Sequence, residues 1–119
     1  MTIIQILRDP VTRRISGFDA QGHSGFAEHG EDLVCAGISA LTLTALLGIE
    51  QIANLRDFFT HDEQKALIHC RIPRDVSAEK AKIAGVILET MRLGLIEIAR
   101  EYPKFLRLID EGGANLDPF

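Results

Sequence analysis

Cysteine is scarce in this chain. Two thiols in 119 residues make no disulfide framework, and a free thiol in a hydrophilic stretch fits a reducing, cytoplasmic compartment. Basic charge is also in short supply. Thirteen Lys and Arg against seventeen Asp and Glu leave a net charge of −4, which argues against a nucleic-acid grip built on broad basic surface. The one tight basic pair, Arg13-Arg14, reads as the solvated end of a strand, and no direct nucleic-acid partner is expected. Long apolar runs are missing too. The longest tract, around Leu41–Ile49, is broken by Thr42, Thr44 and Gly48 and is too short to span a bilayer. MTIIQILRDP has no basic start followed by a longer apolar core, so neither a signal peptide nor a membrane partner is expected. Repeats, linkers and low-complexity segments are likewise absent.

What remains is ordinary for a soluble globule: 46% hydrophobic and 25% charged residues. The length predicts one domain over residues 1–119, burying roughly two-thirds of its unfolded surface. Thr2–Arg8 is short and β-branched and stops at Asp9-Pro10, which predicts a strand and a turn. Arg13–Ala20 pairs with it as a hairpin. Gln21–Glu31 holds Gly22, Gly25 and Gly30, two histidines and no periodicity, a loop long enough to suggest function.

Asp32 is a good N-cap for a helix from Leu33 to about Asn54. That helix is apolar on nearly every side, which predicts burial all round. Arg56–Thr60 and Lys65–Ile72 read as a hairpin turning at His61–Gln64, with Ala66, Ile68, Cys70 and Ile72 on its core face. A second, amphipathic helix runs from Ser77 to Tyr102, where Pro103 stops it. Phe105–Asp110 is a last strand, and residues 111–119 read as a flexible tail. The order β-β-α-β-β-α-β predicts an α/β fold, a two-layer sandwich with a mixed sheet of about five strands and two helices on one face.

The chemistry concentrates in GHSGFAEHGEDLVCAGIS, residues 22–39. If Asp32 caps the helix, Cys35 lies in its first turn, where unpaired N–H groups and the positive dipole end favour an anion. Such positions, and nearby histidines, lower a thiol pKa from about 8.5 toward roughly 3.5–7.5. The same N–H groups suit an oxyanion formed beside the sulfur. The partner must be a base, and His23 and His29 both qualify. A rigid strand end holds geometry better than the middle of a loop, which favours His23.

Blander readings stand beside these. Cys35 also fits as a small buried hydrophobe, Asp32 as a plain cap, and Ser39 as a hydroxyl bonded back to the Cys35 carbonyl. His61 and His69 read as solvated, and Cys70 as core. His23, His29, Asp32 and Cys35 form a conceivable zinc set, but their spacing matches no standard finger. No metal or cofactor is expected.

The same stretch resembles the signature of the ribosomal-processing cysteine proteases called Prp. The matching residues are Gly22-His23, Phe26, Gly30, Asp32, Val34-Cys35-Ala36 and Ser39. The likeness continues through Leu41-Thr42, Thr44–Gly48, Leu88–Met91, Leu93–Leu95 and Tyr102-Pro103. Ser24 and Gly37 depart from the pattern without removing a chemical group, and residues 54–64 and the tail match poorly.

The resemblance implies a bacterial cysteine endopeptidase, usually a homodimer. The family removes a short hydrophobic, Phe-rich N-terminal extension from large-subunit ribosomal protein twenty-seven. By the same likeness Cys35 is the nucleophile and His23 the general base and acid, with Asp32 and Ser39 in support. The loop through Gly22, Gly25, Phe26 and Gly30 is then expected to close over the peptide, and the Met91 helix is a candidate dimer surface. A non-catalytic peptide-binding or ribosome-assembly module is the competing expectation.

Overall fold

The computed structural model describes residues 1–22 and 31–110. In order they form β1 (Thr2–Arg8), β2 (Ile15–Gln21), α1 (Glu31–Ile52), β3 (Phe59–Asp62), β4 (Leu67–Arg71), α2 (Ala78–Glu101) and β5 (Leu106–Asp110). This is the expected α/β sandwich, and β1 agrees to the residue. The strands lie in the order β3-β4-β2-β1-β5, antiparallel throughout except that β5 runs parallel to β1.

Side-chain alternation along each strand decides which face is buried. One lateral row runs Phe59, Cys70, Phe18, Ile6 and Asp110. The next runs His61, Ile68, Ala20, Ile4 and Leu108. Phe18, Ile4, Ile6 and Cys70 are sealed from solvent in these rows. Val34, Ile38, Leu46 and Ile49 of α1 and Leu88, Met91 and Leu95 of α2 complete the same core. The opposite sheet face carries Gln5, His69, Arg71 and Arg107, all exposed.

The helix ends follow local chemistry. Ser77 caps α2, its hydroxyl accepting the Lys80 N–H at 3.2 Å, and the helix stops ahead of Pro103 as expected. The chain leaves α1 through Asn54, whose φ of 57° is a left-handed conformation that asparagine tolerates better than most residues. The Ala53 and Leu55 N–H groups both turn back to the Ile49 carbonyl there.

Three expectations are corrected. First, α1 is not buried all round: Leu33, Leu43, Leu47 and Ile52 are exposed, because the helix presents only one face to the sheet and α2. Second, Asp32–Ile52 is by length and composition apolar enough to cross a bilayer, longer than the tract read from the sequence. Its inward face instead packs into the core. Third, β3 begins three residues later than expected. Leu55 and Phe58 are apolar and buried, yet they belong to the connection, where Asp57 also takes a positive φ of 57°. The tail at 111–119 lies outside the described residues.

Candidate active site

The start of α1 and four strands of the sheet converge on the thiol. Cys35 is half-buried and reduced, and it opens on a cavity of about 330 Å³ shared with Thr2, Gly22, Ser39, His61 and Glu63. Because α1 begins at Glu31, Asp32 is its second residue rather than its cap, and Cys35 is the fifth. The thiol therefore belongs to the second turn. Helical side chains lean toward the N-terminus, so the sulfur still projects back over the opening turn, whose N–H groups have no partner within the helix. Asp32 is exposed and is not among the residues lining this cavity, though a carboxylate in the first turn still suits the helix dipole.

Gly22 forms the rim. Its φ is 89°, a region that glycine enters without penalty. A Cβ there would lie 2.7 Å from the Met1 carbonyl oxygen, so a side chain is excluded on both counts. The Gly22 carbonyl accepts the Thr2 hydroxyl at 2.8 Å, and its N–H donates to the Ala66 carbonyl at 3.2 Å. The chain is thus fixed at the last position before His23. His23, Gly25, Phe26, His29 and Gly30, and with them the expected base and closing loop, lie outside the described residues.

Ser39 stands one turn beyond Cys35, exposed and on the cavity wall. Among the described residues its hydroxyl makes no hydrogen bond, so the expected back-bond to the Cys35 carbonyl is not what holds it. One turn further, Thr42 is buried and does make such a bond, donating to the Ile38 carbonyl at 2.9 Å.

His61 and Glu63 are the residues that sequence reasoning missed. The hairpin was expected to turn at His61, but the strand runs on to Asp62. His61 therefore pairs with Ile68 and shares its helix-facing side of the sheet. The signal that would have found it is alternation counted back from Ile68. Cys70, by contrast, is core as expected: burial pushes its thiol up to about 12. Among the described residues no cluster of three His, Cys, Asp or Glu could hold a metal ion, and two members of the conceivable zinc set are not described.

A half-buried thiol on an open cavity, near the opening turn of a helix and beside a fixed strand end, is a candidate site for a thiol-dependent enzyme. Comparison with known proteins makes this specific. Residues 1–107 match the family described as cysteine protease Prp. The ribosomal processing cysteine protease Prp of Bacillus subtilis strain 168 is 32% identical over 94 residues, 79% of this chain and 84% of that protein. The protein of the same description from Staphylococcus aureus strain Mu50 is 32% identical over 87 residues, 73% of this chain and 78% of its own.

Two crystal structures of the S. aureus protease are similar in fold. One, with a substrate peptide, superposes at a TM-score of 0.80 and 26% identity, covering 93% of this chain and all of the other. The second, with a covalently linked product peptide, gives 0.77 and 27% over the same shares. The chain belongs to the Prp family of ribosomal-processing cysteine proteases.

Proposed function

We propose that this protease removes a short hydrophobic, Phe-rich N-terminal extension from large-subunit ribosomal protein twenty-seven in the cytoplasm, by acyl transfer through Cys35 and His23. The observation that carries the reading is the shared cavity: Gly22, pinned from two sides, faces Cys35 across it, and His23 is the next residue of the chain. The covalently linked product peptide on the S. aureus relative supports a covalent step.

In this mechanism His23 accepts the Cys35 proton, and the thiolate attacks the scissile carbonyl carbon. The resulting oxyanion is held by N–H groups of the opening turn of α1. As the tetrahedral species collapses, the C–N bond breaks and His23 returns the proton to the leaving amine. Water, deprotonated by His23, then attacks the thioester and frees Cys35. Ser39, with its hydroxyl uncommitted, supports the reacting groups, and Asp32 stabilises the helix opening. The segment expected as a loop from Gly22 to Glu31, hinged on Gly25 and Gly30, closes over the bound peptide in this reading.

The homodimer of this reading uses the outer face of the helices. The Met91 stripe, expected as a dimer surface, is buried in the core. Leu43 and Leu47 of α1 and Val86 and Leu93 of α2 are among the exposed apolar residues instead.

The test is cleavage of a synthetic peptide that spans the extension and the first residues of that ribosomal protein from the same genome. The expected result is one cut at the end of the extension, abolished in Cys35→Ala and in His23→Ala. Turnover by Cys35→Ala, or tight binding of the intact peptide without cleavage by the unaltered protein, would remove the reading.

A further inference from the structure

The sequence spreads its arginines thinly, yet the fold gathers five of them around one groove. Arg8, Arg13, Arg14, Arg71 and Arg74 line a cleft of about 910 Å³, with Asp9 the only acid among its described lining residues. They come from the end of β1 and the turn after it, and from the end of β4 with the connection beyond it, so the two groups lie at least 57 positions apart in the sequence, from Arg14 to Arg71. A net charge of −4 for the whole chain therefore hides a local surplus of positive charge.

The groove is constructed rather than incidental. Asp9 Oδ1 accepts the N–H groups of Val11 and Thr12 at 2.8 and 2.9 Å, closing the turn that presents Arg13 and Arg14. Those bonds hold the Asp9 carboxyl below its usual range, with the positive charge of Arg74 adding to them. The stem of Arg14 lies where a Cβ on Gly85 would come within 2.6 Å, so α2 gives up a side chain to seat it. Arg8 is committed to Asp110 and Arg71 to Asp19. Among the described residues, the guanidinium groups of Arg13, Arg14 and Arg74 make no hydrogen bond or ion pair.

We propose that this groove binds the phosphodiester backbone of RNA. Every cation lining it is arginine, whose planar fork matches phosphate oxygens two at a time. No aromatic residue lines it, so bases have nothing to stack on, and contact falls on the backbone without regard to sequence. The groove sits at the Arg8 end of β1 and the thiol cavity at the Thr2 end, roughly 20 Å apart along a seven-residue strand. One molecule can hold a phosphate backbone and a peptide at the same time. The choice of RNA over DNA rests on the ribosomal reading above; the groove's affinity for phosphodiester does not.

The test is binding of a short fluorescent RNA duplex to the full chain at several salt concentrations, read by anisotropy without any peptide. A DNA duplex of equal length and polyglutamate serve as competitors. The unaltered protein should bind RNA, and Arg13→Gln with Arg74→Gln should bind at least about tenfold more weakly. The slope of log affinity against log salt should also flatten by about 2 in that variant. Both positions are exposed, so the melting curve and the Cys35 alkylation rate should not move. Gly85→Ala, which displaces Arg14, should weaken binding as well. No RNA binding at low salt, equal binding by the double variant, or displacement of RNA by polyglutamate more readily than by DNA would overturn the proposal, as would a preference for DNA. Peptide cleavage plays no part in these readouts, so they fail or succeed independently of the peptidase reading.

Discussion

Thr2 donates its hydroxyl to the Gly22 carbonyl at 2.8 Å, so the first residue of β1 fixes the residue immediately ahead of His23. A short contact at the first strand thereby supports the rim of the Cys35 cavity. It joins two strand ends that are 20 positions apart and makes the left-handed turn at Gly22 a designed feature of the site.

Gly22→Ala should therefore damage both stability and activity. The methyl group would meet the Met1 carbonyl and would disfavour the positive φ. A loss of more than about 1 kcal/mol is expected, measured by urea denaturation. Cleavage should fall further than stability explains, because the following histidine would be displaced. Thr2→Val, which keeps the shape and removes only the donor, should show a milder form of the same effect.

The two thiols should react very differently. Iodoacetamide at pH 7 should add one group to the native protein, at Cys35, and a second only in denaturant. Cys70 has no exposed surface, and burial raises its thiol to about 12, so it is neither accessible nor ionised in the fold. Mass spectrometry of the native and unfolded adducts distinguishes the two sites.

His61→Ala is expected to lower kcat/KM for the extension peptide several-fold while leaving the melting temperature unchanged. The imidazole is exposed, but it stands on the wall of the Cys35 cavity. A variant with unaltered kinetics would assign His61 to the surface alone.

Asp110 is the buried centre of an ion network. Arg8 binds its two carboxylate oxygens at 2.8 Å each, and Arg92 adds a third contact at 3.0 Å. The carboxylate is fully enclosed. Asp110→Ala leaves the two guanidinium groups without their buried partner and with the half-exposed Glu89 as the acid they still share, which should cost on the order of 3 kcal/mol. Chemical denaturation measures it.

Acid should weaken the open sheet face. Burial raises the Asp19 carboxyl, but hydrogen bonds from Arg71 and His69 outweigh it and leave the pKa lowered. A carboxylate with a depressed folded pKa stabilises the protein fully above its unfolded value, about 3.9, and that contribution fades as pH falls through the folded one. Asp19→Asn should therefore be less stable than the unaltered protein at pH 7, with the gap closing as pH falls below the ordinary carboxylate range. Thermal melts across that range read the difference directly.

Much of this molecule is legible from the sequence, and what is not has physical reasons. β1 and the second helix have sharp ends, set by Asp9-Pro10 and by Ser77 and Pro103. Cys35, Ser39 and the Gly22 rim announce themselves through residue type and family likeness. The β3 boundary does not, because Leu55 and Phe58 are apolar enough for a strand while the backbone around them takes left-handed turns at Asn54 and Asp57. That shift of three residues hid His61, since a strand residue has a definite face and a turn residue does not. The arginine groove was hidden for another reason. Arg13-Arg14 is a weak signal alone, and only the pairing of β2 with β4 brings Arg71 and Arg74 beside it.

The parallel seat of β5 against β1 imposes a sequence of events on the ribosome that makes this protein. Arg8 must find Asp110 across 102 positions, so the first strand emerges with one flank vacant and waits for the last. At roughly 5–20 residues per second, that interval lasts on the order of 5–20 seconds. Until it closes, the newborn chain shows a sticky ribbon to its neighbours, and a holding chaperone at the tunnel exit has its clearest target there.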